Sequence, residues 1–125
     1  AGARRVRGPP REVGGLGVPA YVHNLHRQLA ACERAVVQGG LTTAMELTAN
    51  QRPFLYFPLR DHCEQHVHVR HRLERYRAGR SMDYESATPE LLAKTIADEL
   101  SRSVQSRPVE RDGALRAAQL LAPLI

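Results

Sequence analysis

The chain has few aromatic residues, one lysine, two cysteines and no long hydrophobic run. Each scarcity removes a class of function. Aromatics are 5% of the residues and show no stacking pattern, which argues against single-stranded nucleic acid as a ligand. No nucleic-acid partner is expected. No apolar stretch approaches the roughly 18 residues that a membrane-spanning helix needs. The basic N-terminal stretch is not followed by an apolar segment, so no secretory leader is read. Cys32 and Cys63 form no spacing motif and read as free thiols in a reducing cytoplasm. Neither G-x-G-x-x-G nor G-x-x-x-x-G-K-[ST] occurs, which weakens dinucleotide-dehydrogenase and kinase readings. There is no internal repeat.

What remains is a globular composition. The 125 residues, 42% apolar and 25% charged, suit one domain. Net charge is +5, and Lys94 is the one basic residue of the eighteen that is not arginine. Arginine suits phosphate recognition. A GC-rich genome produces the same bias. The positive sign by itself fits a nucleotide, a nucleic acid or a peripheral contact with an anionic membrane equally well.

Hydrophobic spacing divides the chain. Residues 1–17 are rich in Arg, Gly and Pro and read as a flexible or loop segment. Residues 18–22 form a short strand candidate. Residues 23–33 read as a helix with Leu25, Leu29 and Cys32 on one face. Residues 35–38 form a short buried strand. Residues 42–50 form a helix capped by Thr42 or a neighbour, with Pro53 marking its boundary. Residues 54–57 are apolar without alternation, as expected of a strand covered on both faces of a parallel sheet.

A long helix over residues 62–76 follows, with Val69, Leu73 and Tyr76 on one stripe and Gly79 as terminator. Residues 82–84 suggest an edge strand. Thr88-Pro89-Glu90 opens a helix that carries Leu92, Ile96, Glu99 and Leu100 to about Arg102. A linker over 101–108 precedes a last helix over 111–121, with Leu115, Ala118 and Ala122 facing inward. Alternating strands and helices predict an α/β fold, a Rossmann-like parallel sheet with helices on its faces.

In such sheets ligands lie beyond the carboxyl ends of the strands. The segment Gln38-Gly39-Gly40-Leu41-Thr42-Thr43 offers backbone amides and two hydroxyls at a strand-to-helix turn. That is an anion site, because free N–H groups and the helix dipole favour a phosphate. Glu46, a turn further on, suits a ribose diol. Glu64 beside Gln65 pairs a carboxylate with an amide, which suits the vicinal hydroxyls of a sugar.

The histidines at 62, 66, 68 and 71 invite a metal reading, with His62 and His66 on one helix face and Cys63 and Glu64 between them. The glutamate is misplaced for zinc-protease motifs, and no metal site is expected. Arg70, Arg72, Arg75 and Arg77 read first as a solvated outer face.

Val37 to Glu46, then Pro53, Pro58-Leu59 and Glu64-Gln65, resemble the donor-binding half of GT-B glycosyltransferases, families 28 and 1. The resemblance runs from about Tyr21 to Leu100. It implies that Tyr21 and Val22 flank the nucleobase. Gly39, Gly40, Leu41 and Thr42 would contact the diphosphate, and Gln38 would stand where family 1 often has a histidine. Glu46 would hold the ribose, and Glu64 and Gln65 the transferred sugar. His66 stands where family 28 often has asparagine.

The resemblance also implies transfer of a hexosyl group from a nucleotide-diphospho-sugar, such as a UDP-sugar, with inversion and without a cofactor or bound metal. The acceptor-binding half and the Gly-rich loop at the start of the donor domain are missing. Residues 18–125 are therefore expected to be a donor-binding domain of a larger two-domain enzyme, cytoplasmic, and inactive alone. It would partner an acceptor-binding domain or subunit. The alternative is a non-catalytic nucleotide-sugar-binding or regulatory subunit of a split transferase.

Overall fold

The computed structural model describes residues 11–125. Its first element corrects the expected loop. Arg11–Val13 (β1) and Leu16–Val18 (β2) form an antiparallel hairpin in the register Arg11↔Val18. Gly14 and Gly15 make the two-residue turn, both at positive φ (57° and 82°). That conformation matches the twist of paired strands, and Gly-Gly adopts it freely. Residues 1–10 of the expected loop lie outside the described residues. The expected strand over 18–22 stops at Val18, because Pro19 has no N–H to continue the ladder. Tyr21 and Val22 are therefore in irregular chain.

From there strands and helices alternate as the spacing predicts. Leu25–Ala31 (α1), Ala35–Val37 (β3), Leu41–Ala49 (α2) and Phe54–Tyr56 (β4) follow in order. The long helix is continuous in position but not in type: Glu64–Val69 is a π-helical segment that leads into Arg70–Tyr76 (α3). Arg77, left-handed at φ 51°, ends α3 two residues before the expected Gly79. Arg80–Ser81 (β5) replaces the strand expected over 82–84. Pairing with β4 creates it, through Leu55↔Arg80 and Tyr56↔Ser81. Asp83 then ends the extended run by accepting the Glu85 N–H at 3.4 Å.

The order β3-β4-β5 is parallel throughout, with α2 and α3 as crossovers. This is the mixed α/β, Rossmann-like arrangement expected from the sequence. Register places Ala35 and Val37 with Phe54 and Tyr56 on one face. There they pack with Leu29, Ala44, Leu47, Val69 and Leu73 into the core. Burying each large apolar side chain contributes about 1.5–3 kcal/mol. Val36 and Leu55 point to the other face, where Ile96 and Glu99 of Pro89–Leu100 (α4) approach them. That cover is thin, and Val36 stays 47% exposed.

Thr88 caps α4 as predicted, accepting the Leu91 N–H at 3.1 Å, with Pro89 in the first turn. At its other end Arg34 donates to the Glu99 carbonyl at 2.7 Å and the Arg102 carbonyl at 2.9 Å. The Glu99 carbonyl, in the last turn where intrahelical donors run out, also accepts the Arg102 N–H at 3.3 Å. The chain then returns without regular structure, held by Arg107 N–H to the Tyr76 carbonyl at 2.8 Å and by Arg111 to the Ala49 carbonyl.

Gly113–Leu121 (α5) and a 3₁₀ turn over Ala122–Leu124 end the chain. Leu115, Ala118 and Ala122, expected inward, are all exposed. An amphipathic pattern specifies a face to be covered, and none of the described residues covers it.

Candidate functional site

Strands β3 and β4 both run toward one edge and deliver two loops there. The Phe57 N–H donates to the Val37 carbonyl at 3.0 Å, carrying the pairing one residue past the end of β4. Gln38 is exposed at the end of β3. Gly39 is buried at φ 120°, and a Cβ there would meet the Pro58 Cα at 3.3 Å and the Phe57 carbonyl oxygen at 3.4 Å. Both the backbone angle and the crowding require glycine. Gly40 differs. Its φ is −66°, and nothing lies within 4 Å of where its Cβ would be. Space is open in front of it.

Gly40, not Thr42, is the cap residue of α2, and the helix begins at Leu41. The Gly40 carbonyl accepts the Ala44 N–H at 3.1 Å, and no side chain caps this end. The N–H groups of Leu41, Thr42 and Thr43 find no acceptor among the described residues. A helix N-terminus in this state carries roughly half a positive charge. Thr42 is exposed and Thr43 half-buried. Glu46 is half-buried further along α2, where its backbone carbonyl accepts both the N–H and the side-chain amide of Asn50.

The loop leaving β4 reaches the π-helical segment. Its Leu59 N–H donates to the Gln65 side-chain oxygen at 3.3 Å, which ties loop to helix. Glu64 is exposed. Leu41, Glu64, Val67, His68, Val69, His71, Arg72 and Arg75 enclose a cleft of about 420 Å³ between the start of α2 and the long helix. The fold thus brings Leu41 and Glu64 to one cavity. It does not bring Tyr21 or Val22 there. Tyr21, 79% exposed, lies between β2 and α1.

His68, His71, Arg72 and Arg75 were the residues missed as cleft-lining. Their spacing in a helix was the available signal, for steps of three and four share a face. Among the described residues, no group of three or more His, Cys, Asp or Glu side chains is placed to hold a metal ion. Beneath the site, burial raises the pKa of Tyr56, against the opposing pull of Ser81 and Arg70.

The sequence has counterparts among known proteins. Residues 11–122 match the model of the glycosyltransferase family 28 C-terminal domain. The chain belongs to that family. It is also similar to an uncharacterized glycosyltransferase of Methanopyrus kandleri, 31% identical over 110 residues that cover 86% of this chain and 32% of the relative. The chain spans about a third of that relative's length. No solved structure gives a significant match.

Family 28 membership makes this a transferase-family domain, and its parallel sheet with flanking helices is the Rossmann-like GT-B C-terminal arrangement. No helix among the described residues is long and apolar enough to cross a membrane.

Proposed function

We propose that this domain binds the donor of a glycosyl transfer, a nucleotide-diphospho-sugar of the UDP type, in a cytoplasmic enzyme. The observation that carries the reading is the uncapped N-terminus of α2, open to solvent in front of Gly40 at the carboxyl end of β3. The amides of Leu41, Thr42 and Thr43 would hold the diphosphate, aided by the two threonine hydroxyls. Glu46 would accept from the ribose. Glu64 and the amide nitrogen of Gln65 would orient the hexosyl group, since the Gln65 oxygen is engaged by Leu59. Tyr21 and Val22 would flank the base on movement of their irregular segment.

In the transfer an acceptor oxygen forms its bond to the anomeric carbon while the bond from that carbon to the diphosphate oxygen breaks. The electron pair leaves with the nucleoside diphosphate. The acceptor proton passes to a base supplied by the acceptor-binding domain or subunit. The amides and helix dipole act on the leaving oxygen, where negative charge grows. No step calls for a cofactor.

Titration of the chain with UDP and with an oligonucleotide tests this reading. Saturable UDP binding is expected. Binding of the oligonucleotide without UDP would overturn it. Addition of an acceptor-binding domain should restore transfer. Donor binding without any restored transfer would favour a regulatory subunit.

A further inference from the structure

The cleft beside α2 has a charge pattern that a neutral sugar does not explain. Glu64, His68, His71, Arg72 and Arg75 lie along one side of the long helix and face the same 420 Å³ space. Two guanidinium groups there oppose one carboxylate. Glu74, the nearest other acid on this helix, is taken by Arg70 at 3.1 Å. Among the described residues neither Arg72 nor Arg75 has an ion-pair partner.

Unpaired like charges one turn apart repel by a few tenths of a kcal/mol. An oxyanion seated between them removes that cost. Arginine presents a planar fork that matches a phosphate or carboxylate. Helical side chains lean toward the helix N-terminus, the end at which Glu64 lies. Leu41, Val67 and Val69 add apolar wall. A concave, part-apolar space of this volume suits a sugar-sized group better than a flat membrane contact.

We propose that this cleft is an acceptor subsite that takes a sugar-sized group bearing an oxyanion, a phosphate or a carboxylate. The inference rests on the donor reading, because Leu41 belongs both to the cleft and to the open end of α2. The acceptor would lie beside the donor diphosphate, its anion held by Arg72 and Arg75. His68 and His71 donate ring N–H groups to the same anion. Glu64, assigned to the donor sugar, marks the end of the cleft where donor and acceptor would meet.

The test is NMR titration of the chain in saturating UDP with glucose 6-phosphate, glucuronate and glucose. The two anionic sugars are expected to shift resonances of His68, His71 and Val67, and glucose to bind at least tenfold more weakly. The phosphate and carboxylate arms tell which oxyanion is preferred. Arg72→Gln/Arg75→Gln should weaken the anionic probes at least tenfold and leave UDP affinity within twofold. Arg70→Gln/Arg77→Gln, with the same change in net charge outside the cleft, should leave the probes unchanged.

Equal binding of glucose, an unchanged affinity in the Arg72/Arg75 variant, or competition between the anionic sugars and UDP would each overturn the subsite. Sedimentation with phosphatidylglycerol vesicles, lost in that variant and without response to soluble sugars, would instead mean a membrane contact and overturn it as well. Failure of UDP to bind is read on the same samples and sinks the donor reading by itself.

Discussion

The Arg80 guanidinium contacts the Glu99 carboxylate at 3.1 Å, joining the shortest strand to the last turn of α4. Glu99 is 7% exposed, and Arg102 reaches the same oxygen at 3.0 Å. Glu99→Ala leaves two guanidinium groups without their shared partner. Both can turn toward water, which discounts the full cost of breaking a buried pair. The expected loss is about 1–3 kcal/mol in denaturant unfolding. A loss below about 0.5 kcal/mol would mean that the contact adds nothing.

Gly39 and Gly40 are neighbours with opposite tolerance. Gly39→Ala forces a side chain to φ 120° and against Pro58, and should destabilise the fold by about 1–3 kcal/mol. Gly40→Ala should cost less, about 0.5–1 kcal/mol for the poorer cap. Its methyl group, however, would stand in the open space before α2 and weaken UDP binding. Equal unfolding midpoints for the two variants would refute the asymmetry.

Tyr56 gives a pH signature. Its folded-state pKa is raised above the ordinary 10.0 by burial. Above the unfolded pKa the unfolded chain loses this proton while the folded chain keeps it, so stability falls as pH rises. The contribution is intact below about pH 10 and declines above it. Thermal melts from pH 9 to 11 should show a shallower decline in Tyr56→Phe than in the parent chain. Parallel declines would exclude Tyr56 as a source.

Glu46→Ala should weaken UDP binding by about 1–3 kcal/mol through a lost ribose contact, with the fold retained. Calorimetry measures the first and circular dichroism the second. An unchanged affinity in a folded variant would remove Glu46 from the donor site.

Much of the sheet was legible because burial writes itself into β4. Phe54, Leu55 and Tyr56 are apolar in succession and all three are buried. Thr88-Pro89 marked the start of α4 for equally local reasons. β5 was misplaced because two residues carry no period, and its partner strand decides where it lies. Residues 11–17 of the hairpin read as loop, because the glycines signal a turn while the strands stay exposed.

At the site, the turn and the open start of α2 followed from Gly39-Gly40. The cation-lined cleft did not. Arg72 and Arg75 look like any solvated helix face until the start of α2 is seen beside them. No residue pattern announced the π-helical turns of Glu64–Val69.

The contact of Gly39 with Pro58 has a mechanical corollary. A Cβ on Gly39 would lie 3.3 Å from the Pro58 Cα, so the two loops run packed against each other here. A ligand held by the first loop would restrain the second through this packing, and the Leu59 to Gln65 hydrogen bond would extend that restraint to the root of the long helix. Occupancy at one end of α2 should therefore slow amide exchange across residues 57–63, which the proposed donor contacts do not include.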